Sequence, residues 1–234
     1  MKEAIILAGG FGTRLQSVVK DVPKPMAPVA GNPYLVYLVR YLKSYGVEHI
    51  VLSVGYLSEV VEDYFKAEYL GVKISYSKED APLGTGGGIR LALEKCEKKN
   101  VIILNGDSFF DVDINKLKKF HKKHKATVSL GVREVENVGR YGEVVLNDEK
   151  EIVKFSEKSD KAIAGLINGG VYLMKRKALN TFALNTKFSL EQDYFQKQAN
   201  TSSLYAKEFN SYFIDIGIPT DFERANKDFL DFKY

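Results

Sequence analysis

Ile5-Ile6-Leu7-Ala8-Gly9-Gly10-Phe11-Gly12-Thr13-Arg14-Leu15 carries an apolar run straight into glycines, a Thr and an Arg. A short apolar run bounded by glycines reads as a buried strand and a tight turn. Backbone N–H groups at such a turn point outward and suit phosphate. Arg14 and Lys24, the latter within Pro23-Lys24-Pro25-Met26, add positive charge at the same place, and Arg grips phosphate oxygens with a planar fork. A dinucleotide fingerprint is not matched, because its register puts Leu15 where the third glycine belongs, and the Gly-Lys-Ser/Thr of a P-loop is absent. A plain strand-to-helix turn without ligand is the alternative, and the Arg and the Pro-Lys-Pro run weigh against it.

Working outward, His49–Val54, Val72–Tyr76 and Val101–Leu104 read as further buried strands. Between them lie helical stretches. Asn32 is the expected N-cap of the first, Pro33 its first residue and Gly46 its stop, with Leu35, Leu38, Val39 and Leu42 at helical spacing. Ser58 is the expected cap of a second helix through Phe65. Strand–helix alternation implies an α/β fold, a Rossmann-like mixed and mostly parallel sheet flanked by helices with right-handed crossovers.

The second half changes character. Thr127–Val135, Gly142–Leu146, Ile152–Phe155 and Ile167–Met174 read as strands with few helices between, a mixed sheet or β-rich substrate-binding portion. Ser189 to Gln192 fits a capping box starting a helix near Leu190. Tyr212 to Asp215 reads as a strand, and Thr220 as the cap of the last helix. There are no repeats, low-complexity tracts or linkers, so residues 1–234 read as a single domain.

Composition sets bounds. Of 234 residues 45% are hydrophobic and 27% charged, the balance of an ordinary globule. No stretch approaches about 18 uninterrupted apolar residues, so no membrane span is expected. A chain that enters a strand at once leaves no room for a cleavable signal, and one cysteine, Cys96, forms no internal disulfide; both suit the cytoplasm. Cys96 lies on an apolar helical pattern and reads as a buried structural thiol. Net charge is +4, concentrated around Lys118, Lys119, Lys122 and Lys123. Those positions fit the solvated face of a helix with Leu117 and Phe120 inside, so no nucleic acid is implied, and His121 and His124 lack the partners of a metal site.

Two further places bear on chemistry. Glu79-Asp80-Ala81-Pro82-Leu83-Gly84-Thr85-Gly86-Gly87-Gly88 is a second glycine-rich loop opening a helix to about Cys96. Glycines in a first helical turn cost roughly 1 kcal/mol each relative to Ala, and close approach of a flat ligand is the expected reason. Asp107, after Asn105-Gly106, ends a buried strand where open α/β sheets bind ligands; Asp113 is the better cap for the next helix, and Asp111 reads as loop without a role. Asp107 and Asp215, at the ends of separate strands, face the phosphate loop. Mg²⁺ prefers one or two carboxylates with phosphate oxygens and water.

Leu7 to Leu15 followed by Pro23-Lys24-Pro25 resembles the signature of sugar-1-phosphate nucleotidyltransferases, and the likeness spans nearly the whole chain. The resemblance implies a glycosyltransferase-A-like form of the α/β fold, Mg²⁺ as cofactor, and a nucleoside triphosphate and a sugar 1-phosphate as partners. It assigns Leu7, Ala8, Gly9, Gly10, Gly12, Thr13 and Arg14 to the triphosphate loop, Lys24 and Arg14 with Asp107 to catalysis, Glu79, Gly84 and Thr85 to the base, and Asp107 and Asp215 to the metal. Gly142, Glu157, Lys158, Asn168 and Gly169 become the sugar-phosphate contacts, with Lys158 on the phosphate and Glu157 and Asn168 on ring hydroxyls. Cations are expected on one side of the bound triphosphate and acids on the other.

Pro82-Leu83-Gly84-Thr85 resembles the guanylyl branch, which implies GTP; Glu79 could accept both donors of guanine's Watson–Crick edge. Val18 to Pro28 and the overall pattern imply a heptose 1-phosphate acceptor, and GDP-heptose for bacterial surface polysaccharide. Uridylyl or thymidylyl transfer to a hexose 1-phosphate, and a non-catalytic nucleotide sensor, stay open beside it, as does a homodimer. A sugar 1-phosphate, with a second pKa of about 6, is largely dianionic at neutral pH and needs no side-chain base. Alignment and charge neutralisation would then carry an in-line displacement. No C-terminal β-helix or acetyltransfer is expected from a chain that stops soon after the Asp215 strand.

Overall fold

In a computed structural model, residues 2–10, 22–156, 163–181 and 186–234 are described. β1 (Glu3–Leu7) leads to a short turn and a two-strand hairpin, β2 (Pro28–Val29) and β3 (Asn32–Pro33). α1 (Tyr34–Ser44), β4 (His49–Val54), α2 (Ser58–Phe65), β5 (Glu68–Tyr69) and β6 (Val72–Lys78) follow. Then come α3 (Gly84–Leu93), β7 (Asn100–Asn105), β8 (Ser108–Phe110), α4 (Ile114–Lys123) and β9 (Val128–Val135). β10 (Glu143–Leu146), β11 (Ile152–Ser156) and the long β12 (Gly165–Lys175) make the β-rich portion. A π-helix (Leu190–Phe195) runs into the single turn α5 (Gln196–Gln198), before β13 (Leu204–Glu208), β14 (Phe213–Asp215) and α6 (Pro219–Asp228).

The main sheet orders β11-β10-β12-β7-β1-β4-β6-β5, with β9 on the other edge of β12 and β13 beyond it. β7, β1, β4 and β6 run parallel; β12 is antiparallel to β7 and turns the sheet mixed. Strand alternation splits the core into two layers. Ala4, Ile6, Ile50, Leu52, Ile102 and Leu104 pack on the α1 side, while Ile5, Val51, Val101 and Ile103 face Ile89 and Ala92 of α3.

Several helix ends differ from expectation. Asn32 does not cap α1, because it is spent in the β2–β3 pairing; Pro33 holds the N-cap position, and the Tyr34 N–H reaches Ala27 O instead. Gly46, at φ +75°, stops α1 as expected: its N–H meets Lys43 O and that of Val47 meets Leu42 O, the paired bonds of a Schellman end. Ser58 and Thr220 lie inside their helices, whose N-cap positions are Leu57 and Ile218. Pro219 takes the first position of α6, where its missing N–H costs nothing. α3 stops at Leu93, short of Cys96. Asp113 caps α4 through Lys116 N–H at 2.9 Å, and the lysines of α4 are solvated while Leu117 and His121 are buried. Ser189 caps as expected, but the helix it starts is a π-helix, and Asp193 rather than Gln192 closes back on the Ser189 N–H at 2.9 Å.

β8 and β14 form a separate two-stranded ribbon in which Asp215 pairs with Ser108. Aromatic rings underlie it. Phe109 meets Tyr41 (5.2 Å between centroids) and Phe232 (4.8 Å), and Phe232 stacks on Phe229 at 4.1 Å. Asp111, expected to be idle, receives the Tyr234 hydroxyl and the Lys233 ammonium at 2.7 Å each, tying the last residues of the sequence to this ribbon.

Candidate active site

β1 and β7 are parallel neighbours in register at Leu7 and Asn105, so the turns after both strands leave the sheet side by side. The Gly106 N–H donates to Leu7 O at 2.9 Å, and a Cβ at 106 would overlap that oxygen; only glycine lets the two turns touch. The ribbon adds the third wall, with the Ile216 N–H on Asp107 O at 3.0 Å. Asp107 and Asp215 are thereby brought together from distant parts of the chain.

Lys24 lies between them. Pro23 and Pro25 restrict the backbone of a 3₁₀ turn (Lys24–Met26), closed by Met26 N–H on Pro23 O at 2.7 Å. The lysine is 9% exposed, and its Nζ is 2.8 Å from Asp107 Oδ2 and 3.7 Å from Asp215 Oδ1. The expected separation of cation and acids is therefore corrected: Lys24 stands among the acids and offsets both. A buried lysine demands such partners, since an unpaired charge is costly.

Two hollows meet here. The first, about 390 Å³, is lined by Leu7, Gly9, Gly10, Lys24, Glu79, Gly84, Thr85 and Asp107, among others. The second, about 250 Å³, is lined by Tyr141, Gly142, Asn168, Gly170, Glu191 and Asp215, with Phe155 and Phe213 as apolar walls. Thr85, Asn105 and Asp107 belong to both and form the shared edge. Gly10 has open space where a side chain would stand, whereas Gly9 abuts Gly55 and Ala8 is buried outside the lining. Gly12, Thr13, Arg14, Glu157 and Lys158 lie outside the described residues.

The run of glycines in α3 has a different cause from the one expected. A Cβ at Gly84 or Gly87 would stand 2.6 Å from Phe188 O or Thr186 O, and one at Gly86 would overlap the Phe188 ring. The N–H groups of Gly86 and Gly87 donate to Phe188 O at 3.1 and 3.3 Å. At Gly88 a Cβ would meet Glu79 Oε1 at 2.5 Å. Gly84, Gly86 and Gly87 thus seat residues 186–188 against the helix, and Gly88 seats Glu79, while Gly84 also lines the first hollow. Glu79 is likewise engaged, with Oε2 on the Leu83 N–H at 2.8 Å, so it braces the loop at the hollow's edge.

In the second hollow the backbone of β12 bulges. Its register with β9 shifts between Asn168 and Val171, and Gly170 takes φ +74°. Gly169 turns into the Phe110 ring and away from the hollow, leaving Gly170 as lining. Asn168 Oδ1 accepts the Gly170 N–H at 3.0 Å and Nδ2 donates to Tyr172 OH at 2.8 Å. Burial, then the Glu191 carboxylate, hold the Tyr172 phenol well above its ordinary pKa, so it stays protonated.

Sequence reasoning passed over three polar groups. Asn105 Oδ1 is buried without a hydrogen-bond partner at the shared edge; its place in Asn105-Gly106-Asp107 was the available signal. Tyr34 OH is buried and unpartnered, and burial followed by the charges of Asp107 and Asp215 raises its pKa well above the ordinary value; within a helical pattern nothing marked it. Glu191 was hidden inside a capping motif. The oxygen-only set of Asp107 and Asp215, with the orphaned Asn105 Oδ1 beside them, suits Mg²⁺. Among the described residues no group of three or more His, Cys, Asp or Glu converges on a metal position.

Parallel strands, two hollows at their carboxyl ends and a lysine-bridged carboxylate pair are the features of a nucleotide-dependent transferase. The chain belongs to the nucleotidyl transferase family, which it matches over residues 3–231. It is 45% identical to a D-glycero-alpha-D-manno-heptose 1-phosphate guanylyltransferase of Campylobacter jejuni, covering 94% of this chain and 96% of that protein. Against the enzyme of the same name from Aneurinibacillus thermoaerophilus identity is 43%, over 97% of each. Among solved structures, HddC from Yersinia pseudotuberculosis superposes with a TM-score of 0.87 at 35% identity, covering 98% of this chain and 100% of that one. A second structure of HddC, complexed with GMP-PN, gives 0.85 at 34% identity over the same shares.

Proposed function

We infer that this protein transfers GMP from GTP to D-glycero-α-D-manno-heptose 1-phosphate, giving GDP-heptose and pyrophosphate. The observation that carries the reading is the shared edge. One hollow ends and the next begins at Asp107, so a nucleotide and a sugar phosphate held in them would meet beside the same carboxylates. Near-full-length identity to two heptose 1-phosphate guanylyltransferases supplies the choice of base and sugar.

The first hollow takes the triphosphate over Gly9 and Gly10, with Gly84 and Thr85 alongside the base. The second takes the acceptor against Tyr141, Gly142 and Asn168. Asp107 and Asp215 would hold Mg²⁺, which when bound supplies positive charge to phosphate oxygens. Lys24 offsets charge developing on the attacked phosphate and on pyrophosphate, from a fixed buried position that needs no rearrangement. The acceptor's phosphate oxygen attacks the innermost phosphorus of GTP, the bond to the bridging oxygen of pyrophosphate breaks, and that oxygen keeps the electron pair. No proton has to be removed from a dianionic acceptor. Arg14 and Lys158 are proposed as further phosphate contacts, Gly12 and Thr13 as triphosphate loop, and Glu157 as a sugar contact.

No helix among the described residues is long and apolar enough to cross a membrane. We place the protein in the cytoplasm, as monomer or homodimer, feeding bacterial surface polysaccharide. Pyrophosphate release from GTP, UTP, dTTP, CTP and ATP against heptose, mannose and glucose 1-phosphates tests the reading. GTP with the heptose is the expected best pair; a preference for UTP or dTTP overturns the base, and nucleotide binding without pyrophosphate release overturns the enzyme.

A further inference from the structure

Glu191 is the group in the second hollow that no part of the transfer chemistry uses. It stands in the first turn of the π-helix, where one extra residue per turn widens the coil; such turns are rare and cluster at functional sites. Its Oε2 accepts the Thr85 hydroxyl at 2.7 Å and the Ser189 hydroxyl at 3.0 Å. Thr85 Oγ1 in turn accepts the Leu190 N–H at 2.9 Å, so the carboxylate is pinned from both sides. Oε1 has no hydrogen-bond partner among the described residues, and the residue lines the second hollow.

A third carboxylate in a hollow that already holds Asp107 and Asp215 is out of place if the ligand there is only an anion. It repels a phosphate and accepts hydrogen bonds from hydroxyls. We propose that Glu191 is a specificity-determining residue that accepts hydroxyls of the sugar acceptor and turns the acceptor's phosphate away from itself, toward Lys24. The pinned rotamer makes the recognition pre-organised, and the bond to Thr85 links it to the lip of the nucleotide hollow. The proposal rests on the second hollow being the acceptor site.

The test compares wild type, Glu191→Gln and Glu191→Ala, with acceptors lacking one hydroxyl at a time. Gln keeps a carbonyl oxygen for Thr85 and Ser189, so it preserves the brace while removing the charge. Expected in both variants is a rise in KM for the sugar 1-phosphate, on the order of tenfold to a hundredfold as for a lost charge-assisted hydrogen bond, with KM for GTP within about twofold. At least one deoxygenated acceptor should lose on the order of tenfold in kcat/KM with wild type and show no such penalty with Glu191→Ala.

An unchanged acceptor KM, or a rise in the GTP KM alone, overturns the proposal and leaves Glu191 as a brace for the π-helix. So does a wild-type enzyme indifferent to every single deoxygenation, a result that needs no variant to fold. If wild type prefers another nucleotide or sugar, the functional reading fails on base or sugar, and the same comparison is made with the preferred pair.

Discussion

Gly87→Ala is the substitution on which the account of the second glycine loop stands. The added methyl would sit 2.6 Å from Thr186 O and 2.8 Å from Leu83 Cβ, both contacts that real side chains do not make. Thr186 O is backbone, so relief requires residues 186–188 to lift off α3, weakening the Gly86 and Gly87 N–H bonds to Phe188 O. Overpacking of this kind costs about 1–3 kcal/mol, and each weakened bond up to about 1 kcal/mol. Alanine returns about 1 kcal/mol of helix propensity. The net expectation is a loss of about 2 kcal/mol, or roughly 4–8 °C in Tm for a chain of this size. The assay is thermal and urea unfolding of the protein without nucleotide, followed by GTP titration. Were the glycines present for the ligand, the nucleotide-free variant would be as stable as wild type or slightly more so, with the whole penalty in GTP affinity. That outcome refutes the packing explanation.

Asp107→Asn should lower kcat by about 10²–10³-fold, the scale for losing one pre-placed charge-stabilising group, and should lower Tm by a few degrees, because buried Lys24 loses its nearer counter-charge and keeps Asp215 at 3.7 Å; steady-state pyrophosphate release beside a melt checks both. His121 is buried against Ser129 Oγ (2.9 Å), and burial, then Lys175, lower its pKa from 6.5 to about 4. The unfolded chain takes up this proton first, so the contribution is fully present above about pH 6.5 and is lost as pH falls toward 4. Wild type should lose up to about 3 kcal/mol more than His121→Asn across that window in urea unfolding. Cys96 is buried and its thiol is pushed up to about 12, chiefly by burial, so a thiol reagent should label it only after denaturation.

The parallel half of the fold was legible because buried parallel strands are near-continuous apolar runs: His49–Val54 matches its strand residue for residue. Helix ends were less so, since a cap depends on where the chain comes from. Asn32 has the right side chain, yet its backbone is claimed by Val29 across a hairpin that local spacing does not reveal. In the site, Asp107 was legible from its strand end, and the strand leading to Asp215 was too. Their meeting depends on the β8–β14 pairing across about a hundred residues, which spacing alone cannot supply. Glu191 stayed hidden for the same reason: its partner Thr85 lies 106 positions away. The glycines flagged Gly84 to Gly88 as a place of close approach, yet the reading named a ligand where Phe188, Thr186 and Glu79 of the protein itself approach, contacts that local spacing does not reveal.

The two carboxylates sit where the main sheet hands over to the small two-stranded ribbon. Asp215 ends one strand of the ribbon and Asp107 directly precedes the other; Phe109, on the ribbon's underside, packs against Phe229 and Phe232, and its flank is tethered through Asp111 to Lys233 and Tyr234. The contacts of Lys233 and Tyr234 with Asp111 thus brace the strand that follows Asp107, and severing them should loosen this corner of the site while the protein still melts as a folded body.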